Sequence, residues 1–261
     1  MKYARMPVIF AGHGSPMNAV DKTIFGDKLS ELRQRIPTPK SILMISAHWQ
    51  TEGTHLVGND HPKTIHDFYG FPEKLFKVNY AAPGDPVLAK RVQALISEVK
   101  IVKNWGFDHG AWSVLLHLFP NAEVPVLQMS LDERLSMREH FELAQKLKIL
   151  RDEGVLIVGS GNIVHNLRAI KQMEYPNGTY DWSKSFDDCI ASALENRDDS
   201  KLTEFGKFWP TEAKLSVPTP EHFLPLIYAF AVTDPEDHLA FPIEGFQLAS
   251  ISMRTALWTP P

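Results

Sequence analysis

Three histidines follow short apolar runs, and a fourth stands at the head of one. His13 lies between two glycines in AGHGSPMNAV, after the run that begins at Pro7, and His48 closes SILMISAHW. His165 follows VLIVGSGN by a few residues in GSGNIVHNLRAI, and His222 comes just after Thr219-Pro220 in SVPTPEHFLPL. A neutral imidazole is a metal ligand, and its pKa near 6.5 also lets it carry protons at physiological pH. Delivered to one place from four distant segments, the four would make a site for a divalent cation. The Gly and Ser residues flanking His13 and His165 would let other groups approach closely.

Two other chemistries fit less well. GSGN after a strand resembles half of a phosphate-cradling loop, but it lacks the third glycine and the lysine of either nucleotide fingerprint. Neither GHGSP nor VGSGN has the G-x-S-x-G spacing of a serine nucleophile elbow. Of the other histidines, His55, His61, His140 and His238 sit in polar or loop contexts and read as surface. His109, beside Gly110 and Trp105, is placed to line a pocket; His117, on an apolar helix face, reads as a hydrogen-bonded core residue.

The elements that must position these side chains alternate short apolar runs with longer amphipathic ones, the pattern of an α/β layer structure. Strands are expected at 7–13, 41–49, 54–58, 124–131, 155–162 and 245–253. Their continuous apolar character predicts a mostly parallel central sheet with helices on both faces. Parallel strands bring their carboxyl ends together along one edge, where such sheets form their ligand crevice, and His13, His48 and His165 would all stand there. Ser136 and Glu139 have capping-box spacing at the head of a helix that Gly154 ends. Asp85-Pro86 opens a second helix, through Ala94, and Thr219-Pro220 a third that would carry His222 in its first turn, with Pro225 kinking that turn. The stretch from His61 to Pro86 is long and rich in Pro, Gly and aromatic residues, as functional loops in compact domains often are.

With 261 residues, 44% of them hydrophobic, one domain spanning 1–261 is expected. Lys+Arg is 27 against Asp+Glu 31, a formal charge of −4. The chain therefore lacks the basic footprint that nucleic acid or an anionic membrane requires. A single cysteine, Cys189, excludes an intrachain disulfide framework and a thiolate zinc site; its helical context reads as a small buried hydrophobe. No apolar run approaches the ~18 residues of a membrane span. The start of the chain has no h-region of a secretory signal, so a cytoplasmic location is expected.

Taken in order, GHGSPM, SAHW, TIHDFYGFP, YAAPGDP, WGFDHGAW, GSGNIVHNLR and TPEHFLPL resemble the DOPA 4,5-dioxygenase branch of the class III extradiol ring-cleavage dioxygenases, the LigB-type superfamily. The matches run from residue 12 to about 229. The resemblance implies that His13, His48 and His222 bind a divalent metal, with His165 beside it as acid/base catalyst and as a ligand when no substrate is bound. It implies Fe(II) for activity, with Zn(II) able to occupy the same site. The substrates would be O₂ and a catechol such as L-DOPA, whose ring would open beside the diol. Many members of the wider superfamily complete the ligand set with Glu, so Glu221 is the alternate to His222. Asp67, Phe68, Tyr69 and Phe71 would wall the substrate pocket, with Trp49 and His109 behind them.

Chemistry supports such a set: three imidazoles leave open positions on an octahedral ion for both co-substrates. A zinc-dependent hydrolase using the same histidines to activate water is the alternative, and only the dioxygenase consumes O₂. A metal-sensing or binding protein would need no base at His165. Oligomerisation is left open by the sequence.

Overall fold

Strands made of unbroken apolar runs cannot leave either face to water, and the fold meets that demand with one sheet between two layers of helices. The computed structural model describes residues 4–172 and 178–261. The strands are β1 (Val8–Gly12), β2 (Ser41–Thr51), β3 (His55–Val57), β4 (Lys100–Val102), β5 (Val126–Asp132), β6 (Val155–Gly161), β7 (His238–Ile243), β8 (Phe246–Gln247), β9 (Ile251–Ser252) and β10 (Thr255–Thr259). The α-helices are α1 (Ile24–Leu32), α2 (Glu73–Phe76), α3 (Pro86–Leu95), α4 (His109–Leu118), α5 (Met137–Gln145), α6 (Asp181–Glu195), α7 (Asp199–Thr203), α8 (Phe205–Phe208), α9 (Pro210–Ser216) and α10 (Leu224–Ala231).

Eight strands form the sheet in the order β4-β3-β5-β2-β6-β1-β10-β7. The centre, β5-β2-β6-β1, is parallel, as is β3 with β4, whereas β3 runs antiparallel to β5 and the pairs β1-β10 and β10-β7 are antiparallel. The mostly parallel α/β sheet expected from the apolar runs is therefore present, with antiparallel additions. Alternation along β2 shows the two faces: Leu43 and Ile45 join a core with α3, α5, α6 and α10, and Ile42 and Met44 join a second core with α1 and α4. No helix among the described residues is long and apolar enough to cross a membrane.

Local differences from the sequence reading have physical causes. Residues 245–253 are not one strand but the hairpin β8-β9, because Leu248 (φ 50°) and Ala249 (φ 63°) turn the chain back in the left-handed region. The helix capped by Ser136 and Glu139 closes as an α-helix at Gln145 and continues as a 3₁₀ turn over Lys148–Glu153, ending at Gly154 in the left-handed conformation. α10 begins at Leu224, so His222 occupies the turn before the helix; Pro225 lies in the first helical turn, where its missing N–H costs nothing, and starts the helix rather than kinking it. His140 is fully buried on α5 against Tyr228 of α10 rather than on the surface. His61 and His238 are exposed and His55 is half-buried. Cys189 is half-buried on α6 rather than buried.

Candidate metal centre

The three central parallel strands end together, and each feeds one histidine segment. His13 directly follows β1, its N–H donating to the Gly161 carbonyl at the end of β6 (3.1 Å). β2 runs longer than its neighbours, and its ladder with β5 breaks between Ile45 and Gln50. Such an irregularity re-aims side chains, and His48 lies inside it. Past β6, the Asn162 N–H donates to the His222 carbonyl (2.8 Å) and the His165 N–H to Ser216 (2.8 Å). The GSG of β6 therefore serves packing, not phosphate: a Cβ at Gly161 would lie 2.1 Å from the His222 carbonyl oxygen, and one at Gly159 2.3 Å from that of Pro225.

One side-chain nitrogen from each of His13, His48 and His222 lies within 4.8 Å of the other two. A single ion about 2 Å from each nitrogen can bridge that span. The ring centroids are 5.1 Å apart for His13 and His48, 5.3 Å for His13 and His222, and 4.9 Å for His48 and His222. His165 stacks on His222 at 3.5 Å with the planes 8° apart. Glu221, the alternate ligand, instead has Oε1 3.0 Å from His222 Nδ1.

Hydrogen-bond partners assign the tautomers. The Ser160 hydroxyl donates to the Gly110 carbonyl (2.6 Å), so it accepts from His13 Nδ1–H (3.0 Å). The Glu221 carboxylate can only accept, which puts the His222 proton on Nδ1. Asp67 Oδ2 lies 3.4 Å from His48 Nδ1. In His13 and His222 Nδ1 is thus the donor and Nε2 is left as a lone pair, while His48 turns Nδ1 toward the Asp67 carboxylate. His13 and His48 Nε2 stand 3.3 Å apart, and buried His222 Nε2 has no hydrogen-bond partner. Three converging Nε2 atoms, that of buried His222 without a partner, fit a cation, and acceptors behind imidazoles are the arrangement that orients them toward a metal.

Electrostatics agree. Burial pushes His13, His48 and His222 well below the ordinary imidazole pKa, and the neighbouring imidazoles push in the same direction. Burial takes His165 down to about 4 against the opposing pull of Glu221. All four are neutral at pH 7, the form that can bind a metal or accept a proton.

The aromatic wall expected from TIHDFYGFP is only partly at the site. Asp67 Oδ1 accepts from the His109 backbone N–H and Oδ2 from His109 Nδ1 (both 2.9 Å), so this carboxylate orients His109 and His48. Burial disfavours the Asp67 charge, but those donors hold its pKa below the usual carboxylate value. His109 lies 3.8 Å from His48 by ring centroid, and Phe68 presents its edge to His109 at 5.5 Å, with Phe71 against Phe68. Tyr69 is 92% exposed at the loop tip. Trp49 stacks on Trp105 (5.5 Å, planes 8° apart). His66 donates to the Val78 carbonyl, and half-buried His117 to that of Asn18.

The sequence reading passed over a second buried group. Asp108 caps α4, which begins at His109, and accepts from Ser46 Oγ (2.6 Å), the Ala111 N–H (3.0 Å) and Gln128 Nε2. Burial, with Asp67 nearby, raises its pKa to about 6. The Asp that precedes an apolar helical run was the available signal, as an N-cap.

The model of the family described as the catalytic LigB subunit of aromatic ring-opening dioxygenase matches residues 6–252. The chain belongs to the LigB family. A relative of this LigB-family chain from Escherichia coli (strain K12), named 4,5-DOPA dioxygenase extradiol, is 39% identical over 257 residues, covering 97% of this chain and 94% of its own. One of the same name from Beta vulgaris is 39% identical over 225 residues, 83% of each chain. The crystal structure of an uncharacterized protein from Escherichia coli K12 is similar with a TM-score of 0.83 at 36% identity, covering 97% of this chain and 99% of that one. This LigB-family protein is thus an enzyme of the extradiol, aromatic ring-opening dioxygenase class.

Proposed function

We propose that the whole chain works as one catalytic unit that opens the ring of a catechol such as L-DOPA by 4,5-extradiol cleavage. The observation that carries this is the convergence of His13, His48 and His222 on one point, His13 and His222 with unprotonated Nε2, and a neutral imidazole, His165, stacked beside them. The names of the relatives from Escherichia coli and Beta vulgaris support DOPA as the first substrate to try.

His13, His48 and His222 would hold Fe(II), which supplies the redox chemistry that lets O₂ react with a catechol. Ser160, Asp67 and Glu221 keep the ligand nitrogens pointed inward. His165 is in its basic form at pH 7, so it can take the second catechol proton and return it to an oxygen of the opening ring. His109, held by Asp67, and the edge of Phe68 form the aromatic side of the substrate space. Both oxygen atoms of O₂ end in the product, one ring carbon leaving as aldehyde and its former neighbour as carboxylate, so no external reductant is required.

The test is O₂ uptake with L-DOPA by protein stripped of metal and reloaded anaerobically with Fe(II) or, separately, Zn(II), while the visible spectrum is recorded. Uptake with a yellow product is expected for iron alone, because zinc has no redox chemistry. No uptake with L-DOPA or other simple catechols would remove the proposed substrate class.

A further inference from the structure

The hairpin β8-β9 touches both halves of the centre and has no part in the chemistry above. On one side it is tied to the His165 segment. His165 pairs with Ile251 across an antiparallel bridge, the Ser252 N–H donates to Val164 (2.9 Å) and the Asn166 N–H to Ser250 (3.1 Å). Ser250 Oγ donates to the Asn166 carbonyl (2.9 Å), and the Lys171 N–H to that of Leu248 (3.0 Å).

On its other side the Gln247 side chain reaches the His13 loop. Gln247 Oε1 accepts from the Ser15 N–H (3.0 Å) and from Asn18 Nδ2 (3.1 Å), and Gln247 Nε2 donates to Asn18 Oδ1 (2.7 Å). Buried Asn18 spends its remaining donor on the carbonyl of His13 itself (3.0 Å), and its own carbonyl is held from α4 by His117 Nε2 (2.9 Å). The loop is packed closely enough to dictate sequence: Gly14 has φ +59°, and a Cβ there would lie 2.4 Å from both Gln247 Oε1 and Met253 Sδ. Two residues without glycine's freedom, Leu248 and Ala249, sit in the left-handed region immediately after Gln247. That conformation is disfavoured for any residue with a Cβ and survives only where surrounding contacts over-determine it.

We propose that Gln247 is a positioning residue: with Asn18 it fixes the backbone that carries His13, and through the hairpin it fixes His13 relative to His165. The proposal rests on His13 being a metal ligand. It acts through hydrogen bonds to the main chain at and just after that ligand, to the Ser15 N–H directly and to the His13 carbonyl through Asn18, so its loss reaches the metal without removing any metal-binding atom.

The experiment measures Zn(II) affinity by competition with a chromophoric chelator, together with thermal midpoints, for wild type, Gln247→Met and Gln247→Glu, followed by kcat and KM for L-DOPA in the iron-loaded proteins. Gln247→Met keeps the volume and removes both hydrogen-bonding functions. It is expected to stay folded, to bind Zn(II) about tenfold more weakly, in the range found for groups that orient ligands, and to lose kcat with little change in KM. Gln247→Glu keeps the acceptor for the Ser15 N–H and Asn18 Nδ2 but sets a second acceptor against Asn18 Oδ1, and is expected to recover part of the affinity. Unchanged Zn(II) affinity in folded Gln247→Met, or equal impairment in both variants, overturns the proposal. A wild type that binds no Zn(II) instead sinks the metal-centre reading on which it rests. Zn(II) binding with no catechol turnover leaves the positioning role standing and removes only the substrate.

Discussion

Behind each ring of the candidate metal centre stands a different acceptor: a hydroxyl for His13, a shared carboxylate for His48, and the neighbouring residue's carboxylate for His222. Asp67 is the one whose loss reaches two rings, since it faces both His48 and His109. Asp67→Asn keeps the shape but offers an N–H where an acceptor is needed, and is expected to weaken Zn(II) binding 10–100-fold in a chelator competition; unchanged affinity would show that the carboxylate orients nothing. His165→Ala should behave oppositely. Metal binding survives, because three nitrogens remain, while catechol turnover falls by 10²-fold or more, the usual contribution of a positioned acid/base group. A variant with full turnover would remove the proton role. His13, His48 and His165 were legible because each follows an apolar run, a position that sequence marks, and His222 because Thr219-Pro220 signals the start of a helix. Their acceptors were not. Asp67 and Ser160 meet the rings only after distant strands are laid side by side, and nothing in HDFYGFP distinguishes a carboxylate that walls a pocket from one that grips an imidazole. Tyr69 shows the same limit, since an aromatic residue in a loop motif reads as pocket wall whether it faces in or out.

Among the elements, β6 has the narrowest tolerance. Its glycines accept the turn that carries His222, so bulk added there pushes on main chain, which cannot swing aside as a side chain can. Gly161→Ala is expected to cost about 1–3 kcal/mol in urea unfolding, the usual range for overpacking, and to weaken Zn(II) binding in the same protein. If neither changes, the close approach of the turn is not what the glycine serves. The strands β1, β2, β3, β5 and β6 were readable from their apolar runs, and α3 and α5 from their caps. β4, β7 and β10 were not read. β4 has three residues and β7 is mostly half-buried, so neither carries a run long enough to stand out. The antiparallel edge that β10 and β7 form depends on where the chain returns, which no local pattern specifies.

At the scale of the whole molecule, the buried imidazoles make stability depend on pH. His13, His48, His165, His222 and His140 all resist protonation in the folded chain, His140 and His165 down to about 4, through burial first. The unfolded chain takes these protons near pH 6.5, so it binds more protons than the folded chain at mildly acid pH. Their contribution is complete above about pH 6.5 and is lost as the pH falls toward 4, by up to ~1.4 kcal/mol per pH unit for each group. Asp108, raised to about 6, and Asp187, also raised by burial, act in the opposite sense; five imidazoles outnumber two carboxyls. The urea midpoint of the metal-free protein is therefore expected to be lower at pH 5 than at pH 7, and a rise on acidification would contradict this. Zn(II) should raise the midpoint at pH 7 and do so less at pH 5, because the ligands must be neutral to bind.

The single cysteine noted at the outset gives the centre a second meaning. A chain with one thiol has no covalent brace of its own, yet His13, His48 and His222 bring segments from the beginning, the first fifth and the last sixth of the chain to within one ion's reach. Filled, the cluster would tie those segments as a cross-link does, restricting the unfolded chain in the way a disulfide is held to act. Unlike a disulfide, it would be insensitive to thiol reductants and released by chelators or acid.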